Sequence, residues 1–186
     1  HSFPTRRSSD LSKGNIKFTL KEAKFVKIFN EGLAGFLTIS NGEERWGFVN
    51  YEGKTTINPQ FSSVTVFKEG LCAVSNNLFK WGFIDKKGKL IINYQFDYVG
   101  DFEDGKCIVS NGSKCGVIDK NGKFIINPQF DKMIIDQNNY LINQDDKWGW
   151  CDDTGKYIIN PQFDHAYPFN DKDIASVKSG NLYGYI

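Results

Sequence analysis

The chain has 186 residues, of which 23 are Lys or Arg and 22 are Asp or Glu, and it is 40% hydrophobic and 15% aromatic. That is enough apolar chain for a single domain with a buried core. A formal net charge of +1 leaves no electrostatic footprint for nucleic acid or an anionic membrane, and no apolar run approaches the roughly 18 to 20 residues of a membrane-spanning helix.

Residues 1–11, HSFPTRRSSDL, differ in composition from everything after them and read as a translated sequencing adapter. They hold Arg6 and Arg7, whereas the remainder has only Arg45. A basic binding arm is the functional alternative for these residues; like a fusion scar, they are set aside from fold reasoning. Residues 12–186, rich in Lys, Asn, Ile and Phe, have the composition expected of an AT-rich bacterial genome. They are expected to form one repeat array cut at both ends, since Ile186 stops inside a predicted strand.

From residue 29 onward the chain repeats itself. Each unit opens on an aromatic, an acidic or amide stretch and a short apolar run, as in Phe29 to Phe36, Phe67 to Val74 and Phe102 to Val109. That marker is weaker at Tyr140 to Ile142 and at Phe169 to Val177. Next comes an aromatic-glycine pair: Trp46-Gly47, Trp81-Gly82, Cys115-Gly116 (thiol for aromatic), Trp148-Gly149 and Tyr183-Gly184, spaced by 33 to 35 residues. A Gly-Lys step follows at Gly53, Gly88, Gly122 and Gly155. The unit closes on Ile57 to Phe61, Ile92 to Phe96, Ile126 to Phe130 and Ile159 to Phe163, three of which read Ile-Asn-Pro-Gln-Phe.

Each unit is predicted to hold three strands, for example Leu71 to Val74, Lys80 to Ile84 and Lys89 to Ile92. The last two are joined by Asp85-Lys86-Lys87-Gly88, a turn in which the carboxylate bonds its own backbone and glycine takes positive φ. Pro59, Pro128 and Pro161 are expected to end the third strand, because proline cannot donate to a ladder. The second and third strands are apolar almost throughout, so both faces of each sheet should be covered. The expected fold is therefore all-β: three-stranded antiparallel units of about 34 residues stacked face to face, β-propeller-like, with the glycine after Trp allowing the sheets to approach. An open superhelical array satisfies the same pattern. No segment has a helical period.

Lys80 to Asp97, KWGFIDKKGKLIINYQFD, resembles the unit of the bacterial WG-repeat proteins, with Tyr94 where proline is usual. The resemblance covers about Asn15 to Ile186. Departures are Cys115 and Tyr183 at the Trp position and Asn50-Tyr51 at the hairpin aspartate. It implies all-β tandem repeats, found alone or attached to other domains, and brings no catalytic residues.

Residue by residue, the sequence offers little chemistry. If the array stacks on a ligand, such as a sugar ring, the candidates are Trp46, Trp81, Trp148 and Tyr183; against this, Cys115 fills the same slot without offering a platform, which favours packing. The cysteines at 72, 107, 115 and 151 contain no C-x-x-C pair and read as small core residues, so no metal, cofactor or disulfide is expected. Asp119 to Gly122 and Asp152 to Gly155 lack the spaced oxygens of a calcium loop. His165 beside Asp164 has no recognisable nucleophile. Gln60, Gln95, Gln129 and Gln162 recur in register, either as a surface ladder for a ligand or as bonds to the strand ends. The expected function is a non-enzymatic binding or scaffolding module for a protein or peptide partner. The alternatives are a carbohydrate or cell-envelope binding module and an accessory array of a larger enzyme. Cut edges predict self-association, and the compartment, cytoplasmic or exported, stays open.

Overall fold

The computed structural model describes residues 16–186, so segment 1–11 lies outside the described residues. The chain forms five antiparallel sheets taken strictly in sequence order. Sheet one holds β1 (Phe25–Val26), β2 (Leu33–Ser40), β3 (Glu43–Asn50) and β4 (Thr55–Phe61); sheet two holds β5 (Ser63–Val64), β6 (Leu71–Ser75), β7 (Trp81–Asp85) and β8 (Leu90–Phe96). Sheet three holds β9 (Tyr98–Val99), β10 (Lys106–Asn111), β11 (Lys114–Asp119) and β12 (Phe124–Phe130). Sheet four holds β13 (Lys132–Asp136), β14 (Asn139–Gln144), β15 (Lys147–Cys151) and β16 (Tyr157–Phe163), and sheet five β17 (His165–Ala166), β18 (Ser176–Ser179) and β19 (Leu182–Tyr185). No helix among the described residues is long and apolar enough to cross a membrane.

Each full unit thus has four strands, not three. The extra one, such as Ser63–Val64, pairs with the next strand in the chain through only two residues, Ser63 with Ser75 and Val64 with Val74. Two residues are too few to leave a pattern in sequence. One residue separates the last strand of a sheet from the first of the next, as Asp97 does between Phe96 and Tyr98. The chain therefore leaves each sheet at one edge and enters its neighbour at the other, the path of propeller blades. The run is open: sheet one's outer face is covered by Leu20, Ala23 and Phe29.

The hairpins form as their chemistry dictates. Asp85 Oδ1 accepts from the N–H of Lys87 and of Lys89, both at 2.9 Å, and Gly88 takes φ of 82°. Asn50, Asp119 and Asp152 make the same pair of bonds. The departure at Asn50 is chemically silent, since an amide oxygen accepts as a carboxylate does.

Two expectations about proline and glycine are corrected. Pro59, Pro128 and Pro161 do not end their strands; each lies inside one, in a bulge. Trp81 pairs with Phe96 and Phe83 with Ile92, so two steps along β7 span four along β8. The strands that hold the prolines, β4, β12 and β16, are edge strands, where a missing N–H costs no ladder bond. The glycine after Trp admits that bulge rather than a neighbouring sheet. A Cβ on Gly82 would lie 2.5 Å from the Ile92 carbonyl oxygen of its own sheet.

The sheets stack through alternate side chains. Phe83 and Ile92 of sheet two meet Val99, Phe102 and Cys107 of sheet three, while Ile84 and Cys72 face back to Phe48 and Ile57 of sheet one. At two junctions an aromatic beyond the short strand closes edge-on against the preceding sheet: Phe67 on Phe48 at 5.0 Å and Phe102 on Phe83 at 4.9 Å between centroids. The fourth strand was expected to be covered on both faces but is not. Ile91, Ile125 and Ile158 are exposed at the edge, while Ile92 and Ile126 alternate inward.

A charged brace recurs across the sheets. Lys80, Lys114 and Lys147, each just before the WG position, pair with Asp97, Asp131 and Asp164. The second carboxylate oxygen accepts a backbone N–H from the following sheet's turn, from Gly112 at 2.8 Å, Asp145 at 3.0 Å and Gly180 at 2.6 Å. The lysine, then the N–H, holds each aspartate below its ordinary 3.8. Because these folded-state values are depressed, the stability they confer is complete above 3.8 and is withdrawn as pH falls below it. A thermal melt series from pH 6 to pH 2.5 is expected to hold its midpoint down to the ordinary aspartate value and then decline. A flat midpoint throughout would show that the braces add nothing.

Candidate binding cleft

At the end of the array where the first two strands of each sheet turn, the sheets are tied to one another. Glu31 of sheet one accepts the Gly70 N–H of sheet two at 2.9 Å and pairs with Lys86 at 3.0 Å. Glu69 of sheet two repeats this with the Gly105 N–H at 3.0 Å and Lys120 at 2.9 Å of sheet three. Burial pushes the Glu31 carboxyl up, but Lys86 and the Gly70 N–H outweigh it, and Lys120 is the main cause of the same lowering at Glu69. Between sheets four and five the tie needs no lysine: Gln137 Nε2 donates to the Asn170 carbonyl at 3.3 Å and to the Asp173 carboxylate at 3.4 Å.

Between sheets three and four the pattern breaks. The residue in the latch position is Asp104, one methylene shorter, and it makes no ion pair or side-chain hydrogen bond among the described residues. The hairpin position held by Lys86 and Lys120 is Asp153, which reverses the charge and pairs instead with Lys106 at 3.1 Å. The aromatic plug is also gone: Asp136 stands where Phe67 and Phe102 stand in the preceding units. Its turn is one residue shorter, so β13 zips along β14 in unbroken register from Lys132–Asn143 to Asp136–Asn139. A regular hairpin holds the turn in its own sheet rather than against the neighbour. The result is a cleft of about 470 Å³ lined by Glu103, Asp104, Lys106, Gln137, Tyr140 and Asp153, among others.

Tyr140 forms the floor. It follows Cys72 and Cys107 in the same strand position and is only 4% exposed. Its hydroxyl makes no hydrogen bond among the described residues, yet no buried side-chain oxygen is left without a partner, so the hydroxyl opens to the cleft. Burial, then the Asp153 charge, pushes this phenol up to about 12, and it stays protonated at neutral pH.

The residues singled out from sequence lie elsewhere. Trp46, Trp81 and Trp148 are half-buried at the margins of the first, second and fourth inter-sheet cores, and Cys115 holds the equivalent place in the third. Lys27 lies 5.0 Å from the Trp46 ring centroid and Lys132 6.0 Å from that of Trp148. Tyr183, with Lys178 at 5.4 Å, is 80% exposed on sheet five. The four aromatic candidates are therefore dispersed, one per junction or face. The four cysteines are free thiols, and burial raises Cys72, Cys107 and Cys151 to about 12. Asp164, engaged by Lys147, is not an acid-base partner of the exposed His165. The glutamines Gln60, Gln95, Gln129 and Gln162 are exposed in a row along the edge strands.

The family model for the WG containing repeat matches residues 46–77, 81–115, 116–148 and 148–183. The chain belongs to the WG containing repeat family. No curated protein matches the WG array. Among solved structures, the WD40 beta propeller domain of Doa1 aligns with a TM-score of 0.43 at 14% identity, covering 89% of this chain and 64% of that one. HIRA(644-1017) aligns with a TM-score of 0.44 at 8% identity, covering 68% and 49%. The WG array thus spans less than two thirds of either structure.

Sequence reasoning missed the cleft, although its signals were present. The WG spacing shortens to 33 residues between Cys115 and Trp148, the aromatic marker fails at Asp136, and the hairpin lysine becomes Asp153. Each was visible as a weakened repeat. What a weakened repeat does to the gap between two sheets becomes visible only when both sheets are in place.

Proposed function

We propose that the WG array is a non-catalytic binding module that holds a segment of a protein or peptide partner in the cleft between sheets three and four. The observation that carries this reading is the contrast between junctions of one chain: at three of them the turn residue Glu31, Glu69 or Gln137 bonds across the gap, while between sheets three and four the turn residue Asp104 bonds nothing among the described residues and the Lys106–Asp153 pair spans a cleft with a buried tyrosine at its base. A volume of about 470 Å³ lies within the range of ligand pockets. The stacked sheets on either side supply the rigidity that lets a site bind without an ordering cost.

Selection from a random peptide library on the purified chain tests it. Enriched peptides should bind with a dissociation constant in the micromolar range, and Asn138→Trp, which places a bulky ring at the cleft's edge, should weaken them at least tenfold. No enrichment would sink this reading. The exposed Tyr183 and Tyr185 on sheet five favour a second reading, a carbohydrate or cell-envelope module whose aromatic faces stack on sugar rings. A glycan array with binding lost in Tyr183→Ala would support that reading instead.

A further inference from the structure

We propose that the cleft takes a lysine or arginine side chain of the peptide partner, its cationic head held between the carboxylates of Asp104 and Asp153 and the hydroxyl of Tyr140. This rests on the peptide-binding reading above and specifies its chemistry.

The charges at the cleft do not balance. Glu103, Asp104 and Asp153 face it, against the single cation of Lys106. Glu103 is shared with Lys68 at 3.7 Å, Asp153 with Lys106, and Asp104 with no cation among the described residues. At the two preceding junctions the equivalent carboxylate receives a lysine head from the next sheet's hairpin, Lys86 on Glu31 and Lys120 on Glu69. The third junction keeps the turn carboxylate as Asp104 but has Asp153 in place of the hairpin lysine, and the Lys106–Asp153 pair that crosses the gap leaves Asp104 without a cation among the described residues. An incoming basic side chain would restore from outside the contact that the chain supplies itself at the other two.

Tyr140 argues independently for a polar guest. A phenol 96% removed from solvent by the fold, by complement of its 4% exposure, would ordinarily find a partner within the protein. Here its oxygen has no hydrogen-bond partner among the described residues, and the residue lines the cleft. A neutral hydroxyl accepts a hydrogen bond from an ammonium or guanidinium, and such charge-assisted bonds are the stronger kind. An acidic guest would meet three carboxylates, and an aliphatic one would leave them and the phenol desolvated and unpaired.

The test uses the full chain and short peptides with one fixed central residue, Lys, Arg, norleucine, Gln or Glu, the flanks being randomised. Binding is read by fluorescence anisotropy and by amide shifts of Asp104, Asn138 and Asp153 in a ¹H–¹⁵N spectrum. Peptides with Lys or Arg should bind about tenfold or more tightly than those with norleucine, and raised salt should weaken them. Asp104→Asn and Asp153→Asn should each lower affinity about tenfold with the melting midpoint held. Tyr140→Phe, which keeps the ring in its core, should lower it a few-fold. Equal binding of norleucine peptides, or indifference to Asp104→Asn and Asp153→Asn, would overturn the basic-side-chain assignment while leaving peptide binding intact. Binding of free 1,5-diaminopentane as tight as that of the lysine peptide would also overturn it, by making a small amine the guest. Absence of binding by every peptide would remove both this assignment and the reading on which it rests.

Discussion

Replacing Gly149 with alanine is expected to destabilise the fold by about 3 kcal/mol, at the upper end of what overpacking costs. The added methyl carbon would lie 2.4 Å from the Ile159 carbonyl oxygen, 2.7 Å from the Pro161 nitrogen and 2.8 Å from the Asn160 carbonyl carbon. All three are backbone atoms, so no rotamer change relieves the clash. Relief requires β16 to move off β15, and that strand is fixed on either side of the bulge by Trp148–Phe163 and Trp150–Ile159 pairing. For a chain of this size the loss corresponds to a drop of roughly 6 to 12 °C in melting temperature. Gly184 is the internal control, the same motif position with nothing within 4 Å. Alanine there should shift the melt by no more than about 0.5 kcal/mol. Equal effects at the two positions, read by circular dichroism melts of both variants, would mean that the motif glycine serves something other than the bulge.

This contrast also marks where local reading of the sequence succeeds. The hairpins were legible because everything they need lies within five residues: a side-chain oxygen at Asp85 or Asn50 and a glycine at Gly88 or Gly53. The stacking of sheets was legible because Phe83 and Ile84, adjacent and both apolar, must face opposite ways and both be covered. Proline misled because its usual meaning assumes a strand paired on both sides. Pro59 sits on an edge, in a bulge that Gly47 makes room for, so strand and glycine must be seen together.

The candidate cleft was hidden for a different reason. The latches join residues 33 to 55 positions apart, from Gln137 with Asn170 to Lys86 with Glu31, and no periodicity rule tells which side chain crosses a gap. Aromatic abundance drew attention to the WG positions instead. Those rings are half-buried members of the inter-sheet cores, except Tyr183, whose face is exposed. The positions that distinguish one junction from another, Asp104, Asp136 and Asp153, are ordinary acidic residues by sequence. They gain meaning only by comparison with Glu69, Phe102 and Lys120 one unit earlier.

Asp136 carries the second large expected effect. It is 3% exposed, and its carboxylate accepts the indole N–H of Trp150 at 2.6 Å and the backbone N–H of Phe169 at 3.0 Å. Trp150, 1% exposed, packs on Phe169 with centroids 5.2 Å apart, so the bond from Asp136 locks together the aromatic pair that joins sheets four and five. Asp136→Ala strands two buried donors and is expected to cost about 3 kcal/mol; Trp150→Ala removes the ring as well and should cost about 4 kcal/mol. Trp150→Phe separates bonding from packing, since it keeps an aromatic and deletes one donor. In that background Asp136→Ala should cost about 1 kcal/mol less than in the parent, because one of the two stranded donors is already gone. Urea denaturation of the four proteins in that cycle measures the difference. Strictly additive costs would mean that the indole bond contributes nothing, and that Asp136 is retained for the Phe169 N–H alone.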